Sequence, residues 1–284
     1  MKRVPVFLLL LSVMHGSLAA GADVDAAEVV AEGGSQAVSR FELGKRYYRG
    51  EGCGIDKEKA AALIRAAAED GLPEAQGWYG FLLCRGEGVA RDEEAAVAWL
   101  EKAAAAGVAS AQFNLGVMLV KGTGGKKEVD RGVKLVEEAA AAGQVEAQAR
   151  LAEWSYFGAE GVAKNPARAV EWARQAAEGG DAWSQNLYGS MFEWAEGVPL
   201  DRVRAMHWYR KAAEQGNAKA QASLGRLHAS GLVGKRDLVE AYYWLWKSAE
   251  QNEWTGINFL KDMVPGMTEE ERKAALVRIG MAAR

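Results

Sequence analysis

Residues 75–107 read AQGWYGFLLCRGEGVARDEEAAVAWLEKAAAAG, and this stretch decides the fold. From Ala75 onward, Trp78, Tyr79, Phe81, Leu82 and Leu83 recur at helical spacing. Pro73 suits the first turn of that helix, where its missing N–H costs nothing. Gly86-Glu87-Gly88 stops the helix, because glycine reaches the left-handed conformation found beyond a helix end. Asp92 then caps a second helix by accepting from the free N–H groups of its first turn. Ala96, Trp99, Leu100 and Ala103 form its buried stripe, and Gly107 ends it. The unit is an antiparallel helical hairpin.

The same phases recur on either side. Asp56, Asp92, Glu128, Asn165, Asp201 and Asp237 follow one another at intervals of 36, 36, 37, 36 and 36. Four residues after each comes a small one, Ala60, Ala96, Gly132, Ala169, Ala205 and Ala241. Leu63, Trp99, Leu135, Trp172, Trp208 and Trp244 follow. Helix ends fall at Gly71, Gly107, Gly143, Gly180 and Gly216, with Asn252 in the sixth copy. Inside the first helices stand Gly44, Gly80, Gly116, Gly189 and Gly225, with Ala152 in the fourth copy. Glycine there costs about 1 kcal/mol against alanine, so its recurrence predicts that another backbone comes close. A period between 20 and 50 residues means stacked supersecondary units, each stabilised by its neighbours.

The expected organisation is a signal peptide over 1–22, an N-terminal cap segment over 23–36 and six repeats over 37–256. The repeats run about 37–74, 75–110, 111–146, 147–183, 184–219 and 220–256, with C-terminal cap helices over 257–284. The last helix opens on the capping box Thr268-Glu269-Glu270-Glu271. About half of the 284 residues are apolar, a quarter are charged and only 5 are proline, a composition that argues against disorder. A net charge of −3 disfavours nucleic-acid binding, which needs a basic stripe.

Lys2 and Arg3, followed by the apolar run Val4 to Val13 and small residues, have the form of an export signal, with cleavage near Ala19 or Ala22. That run is shorter than the ~20 residues a spanning helix needs. The expectation is a periplasmic or secreted protein without stable membrane insertion. Cys53 and Cys84 are the only cysteines, an even count that permits a disulfide in an exported chain. The repeat frame places them near the same end of adjacent repeats. Two outcomes stay open: a bridge stapling repeats one and two, or two free thiols.

The string AQ-x-x-LG, a glycine-rich turn, D-x-x-x-A-x-x-W-x-x-KAA-x-x-G and a second AQ resembles the Sel-one-like repeat. Its fullest copy runs from Ala75-Gln76 through Gly86-Glu87-Gly88-Val89, Asp92, Ala96, Trp99, Lys102-Ala103-Ala104 and Gly107 to Ala111-Gln112. Gly197-Val198, Asp201, Ala205, Trp208, Lys211-Ala212-Ala213, Gly216 and Ala220-Gln221 match as closely. The period exceeds the 34 residues of plain tetratricopeptide units. The resemblance implies an all-α, right-handed α/α superhelical solenoid that acts as a protein-binding scaffold. It points to an envelope adaptor or to an immunity protein that neutralises a secreted toxin effector by occlusion. Some cysteine-rich relatives are linked to β-lactamase-like activity, but their cysteine pairs recur in every repeat, so that activity does not carry over.

Nothing in the sequence marks catalytic, metal or cofactor chemistry. His207 and His228 lie in different repeats without ligand spacing around them. Lys121-Gly122-Thr123-Gly124-Gly125-Lys126-Lys127 lacks the first glycine of a phosphate loop and its Ser/Thr after lysine. A hydrolase of envelope glycans or β-lactams is the weaker alternative. Projected on the tetratricopeptide-like frame, the concave face carries Phe41, Tyr48, Phe81, Phe113 and Val117 in repeats one to three. Glu153, Glu193 and Arg226 follow. The expectation is an apolar N-terminal half that grips a partner segment and a C-terminal half that steers by charge. Trp183, Trp194 and Trp246 replace polar or charged residues of other repeats and are expected to be exposed, as interface tryptophans often are.

Overall fold

The computed structural model describes residues 36–159 and 161–281. The export-signal segment and the cap segment up to residue 35 lie outside the described residues. Among the described residues fourteen α-helices follow one another. They pair as α1 (Gln36–Arg49) with α2 (Lys57–Glu69), α3 (Pro73–Arg85) with α4 (Glu93–Ala105), and α5 (Ala109–Lys121) with α6 (Val129–Ala141). The next pairs are α7 (Val145–Phe157) with α8 (Pro166–Glu178), α9 (Ala182–Trp194) with α10 (Arg202–Glu214), and α11 (Ala218–Ser230) with α12 (Leu238–Glu250). Then come α13 (Trp254–Met263) and α14 (Glu269–Arg278). The sole extended pairing among the described residues is the isolated bridge Ala159–Val162. The chain is an all-α solenoid.

Local chemistry sets each hairpin. Asp56, Asp92, Asn165, Asp201 and Asp237 cap the second helices, their side chains accepting from Lys59, Ala95, Arg168, Arg204 and Glu240 N–H. Glu128 occupies the same position but makes no such bond; its longer side chain turns to Arg131 instead. The helix-ending glycines all have positive φ, and Asn252 takes their place with φ 59°.

The glycines inside the first helices face the second helices at close range. A Cβ on Gly80 would stand 2.8 Å from Leu100 Cγ and 3.1 Å from the Ala96 carbonyl. The residue opposite is deeply buried in each hairpin: Ile64, Leu100, Val136, Tyr209 and Leu245 lie at 0–1% exposure. In repeat four the partner of Ala152 is Ala173, so the added methyl is matched by a smaller opposing side chain. The tryptophan one position earlier in the sequence is turned aside. Trp99, Trp172 and Trp208 are half-buried, and Trp244 alone of them is buried. Lys102 and Lys211 lie over the rings of Trp99 and Trp208 at 4.2 and 4.6 Å.

Repeats are joined by the glutamine of the recurrent Ala-Gln pair, which is Ser184-Gln185 in the fifth repeat. Gln76, Gln148, Gln185 and Gln221 donate to the carbonyls of Ala68, Ala140, Ala177 and Ala213 at 3.1–3.3 Å, each in the last turn of the preceding second helix. Each of those carbonyls also accepts from the N–H of the helix-ending glycine, Gly71, Gly143, Gly180 or Gly216, so the amide takes its second lone pair and ties each repeat to the one before it. At the C-terminal end, α13 packs on α11 and α12 as a seventh first helix. Met267 and Ala275 then close over Leu238.

Candidate protein-binding groove

First helices of consecutive repeats approach one another directly, α3 with α5, α7 with α9 and α11 with α13. Consecutive second helices make no comparable approach among the described residues, so the first helices line the inner face. Their side chains define what this face can bind.

Repeats one to three gather an aromatic cluster. Trp78 meets Phe41, Tyr48 and Phe81 edge-on, with ring centroids 6.1, 5.5 and 6.4 Å apart. Trp78, Phe81, Phe113 and Val117 are half-buried, each presenting part of its surface. Phe41 is buried and belongs to the core, so the expectation that it offers itself to a partner is corrected. Trp78 was not singled out from the sequence, because its repeat equivalents Glu42, Asn114 and Arg150 are polar.

Tyr48 serves a different purpose. Its hydroxyl donates to Glu87 at 2.8 Å, and Lys57 and Arg85 bind the same carboxylate at 2.7 and 3.0 Å. The bonds from Lys57, Tyr48 and Arg85 hold the Glu87 carboxyl down at about 2. Tyr156 and Glu196 repeat the contact in the fourth and fifth repeats, where burial and the neighbouring carboxylate push the phenol up to about 12. These bonds latch one repeat to the next.

Further along, two hollows open between first helices. One, of about 370 Å³, is lined by Phe113, Ala149, Arg150, Glu153 and Trp183. Glu153 pairs with Arg150 at 2.5 Å, and Trp183 is half-buried against Phe157, with ring centroids 6.5 Å apart. The other, also about 370 Å³, lies between α9, α11 and α13 and is flanked by Trp194 and Trp254. Glu193 in its floor is 2% exposed; it accepts from Tyr209 at 2.9 Å and from Arg226 at 2.5 and 2.6 Å. Burial, then the Glu193 charge, raises the Tyr209 phenol above its ordinary value. The expected steering by Glu193 and Arg226 is therefore corrected: each is neutralised by the other inside the fold.

Of the three divergent tryptophans, Trp194 is exposed at 62%. Trp183 and Trp246 are half-buried, which corrects the expectation of exposure for both. The bridge left open between Cys53 and Cys84 is absent: both are free thiols. Cys53 turns to the Glu51 carbonyl of its own loop and packs with Leu43 and Tyr47, whereas Cys84 packs in the cluster of repeats two and three. His207 is exposed beside Trp208; burial lowers the pKa of His228, which carries an unpartnered Nε2. Among the described residues no group of three metal-ligating side chains gathers, and no helix is long and apolar enough to cross a membrane.

A tandem stack of helical hairpins with an inner groove defines the class, a solenoid repeat protein. The sequence model of the Sel1 repeat matches residues 37–72, 73–108, 109–144, 145–181, 184–217 and 218–253. The chain belongs to the Sel1 repeat family. Each matched repeat after the first begins at or within two residues of a first helix, as Pro73 does, about two residues from the spacing-based boundaries. Among solved structures, a Sel1 repeat protein from Oxalobacter formigenes is 32% identical over 84% of this chain and 68% of its own, with a TM-score of 0.72. A protective antigen present in uropathogenic Escherichia coli strains is 29% identical over 91% of this chain and 64% of its own, with a TM-score of 0.55. An immunity protein from Pseudomonas aeruginosa is 17% identical over 78% of this chain and 84% of its own, with a TM-score of 0.48, a likeness that carries no argument about role. No match was found among the curated proteins.

Proposed function

We propose that this chain is a non-enzymatic scaffold of the cell envelope that holds a partner protein along the inner face of its first helices. One observation carries the reading: Trp78 and Phe81 on α3 and Phe113 on α5 stand half-exposed on consecutive first helices, forming an aromatic ledge across repeats two and three. Such side chains offer large contact area at little entropy cost, as interface hot spots do. Sel1 repeat proteins are generally protein-interaction scaffolds, which supports the same reading. The envelope location rests on the basic and then apolar run at the N-terminus.

Binding proceeds by burying an apolar strip of the partner on the ledge, while the paired charges further along present no net field. The test is capture from an envelope extract by the purified chain and by the double variant Phe81→Ser/Phe113→Ser. The wild type should retain a discrete protein and the variant should lose it, with helicity unchanged. Equal capture by both, or collapse of the variant's fold, would overturn the assignment of this ledge.

A further inference from the structure

We propose that the hollow between α9, α11 and α13 binds a neutral saccharide ring. Two exposed indoles flank it, Trp194 at 62% and Trp254 at 68% exposure. No Leu, Ile, Val or Met lines it, so an aliphatic anchor of a partner finds no matching surface. Its charges cancel: Glu193 is paired with Arg226, and Lys219 and Glu253 add one of each sign. A ligand with net charge therefore gains little from it.

What remains is a flat, uncharged molecule with an apolar C–H face and hydroxyls around its edge. The C–H face lies on an indole, while the hydroxyls meet Asn186 and Lys219. Neither of these side chains takes a hydrogen bond or ion pair from the described residues, so both are open to a ligand. The site is stiffened from behind. The Arg226 guanidinium sits 5.7 Å from the Trp194 ring centroid, held there by the buried Glu193. Trp194 is the last residue of α9, which Ala195 closes with the left-handed cap that Gly86 and Gly122 form on α3 and α5. Saccharide binding at this place is independent of protein docking on the aromatic ledge of repeats two and three.

The test is calorimetric titration of the purified chain with three neutral trisaccharides, cellotriose, maltotriose and chitotriose. At least one should bind saturably. Trp194→Ala and Trp254→Ala should each weaken it about tenfold without lowering the melting temperature, since both rings are exposed. Asn186→Leu should weaken it too, which separates loss of the hydroxyl contact from any effect on folding. No saturable binding by any of the three, or binding that survives Trp194→Ala/Trp254→Ala, would refute the inference.

Discussion

Gly132→Ala separates the account given by the structure from one given by pattern. Five of the six repeats carry alanine at this position, and the glycine lies inside α6. Sequence reasoning makes the substitution stabilising, because alanine is better than glycine in a helix by about 1 kcal/mol. The structure reverses the sign. A Cβ on Gly132 would stand 2.6 Å from the Gly116 carbonyl oxygen, 2.8 Å from Val120 Cγ2 and 3.0 Å from the Val120 nitrogen. Two of those atoms are backbone, so no rotamer change relieves the contact, and α5 and α6 must separate.

Forced overpacking of this kind costs about 1–3 kcal/mol, which cancels the gain in propensity at its lower end and leaves a net loss of about 2 kcal/mol at its upper end. For a chain of this size the melting temperature should not rise, and should fall by as much as about 8 °C. Thermal unfolding followed by circular dichroism measures it, and hydrogen exchange should show faster opening confined to α5 and α6. Ala152→Gly is the control: its neighbour is the small Ala173, so it should lose only about the propensity difference of 1 kcal/mol. A higher melting temperature for Gly132→Ala would refute the close-approach reasoning.

Three further outcomes follow from individual contacts. Ala195→Gly relieves a left-handed alanine and should stabilise the chain by about 1 kcal/mol in chemical denaturation; no gain would show that the backbone is unstrained there. Asp92→Ala removes a bond to Ala95 N–H and should cost about 1 kcal/mol, whereas Glu128→Ala, where no cap bond exists, should be nearly neutral. Glu87 is depressed from 4.5 to about 2, so its contribution is complete above pH 4.5 and disappears as pH falls through 2. Glu87→Gln should therefore flatten the melting temperature across that window, and an unchanged acid profile would show that the latch with Tyr48, Lys57 and Arg85 does not form in solution.

Much of the fold could be read from spacing. Capping aspartates and helix-ending glycines announce themselves, since one residue type at one position meets one backbone requirement. Asn252 kept its place for the same reason. The buried stripe was legible only to within one position. Trp99 and Leu100 are adjacent and both apolar, and which of them faces the core depends on the packing of two helices. The Ala-Gln glutamine gave no hint of its bond to a carbonyl eight residues back, because spacing does not show which carbonyl a side chain from the next helix can reach.

The groove was less legible than the fold. Phe81, Phe113, Glu153 and Arg226 all stand on first helices. What spacing could not show is which groups are already committed. Glu193 reads as a surface acid until Tyr209 and Arg226 close on it from neighbouring helices. Cys53 and Cys84 share an end of adjacent repeats, but sequence does not give the direction of their Cβ vectors, on which a bond depends. Trp254 opens a seventh first helix, whereas the spacing placed it at the tail of repeat six, where no role was read for it.

The most direct measurement is photo-crosslinking in cells, with a benzophenone amino acid placed at Phe81 or Phe113 on the first-helix face, or at Arg174 or Arg210 on second helices. The two groove positions should give a discrete protein adduct and the two outer positions none. Adducts from Arg174 and Arg210 with silence at Phe81 and Phe113 would place the working surface on the opposite side of the solenoid.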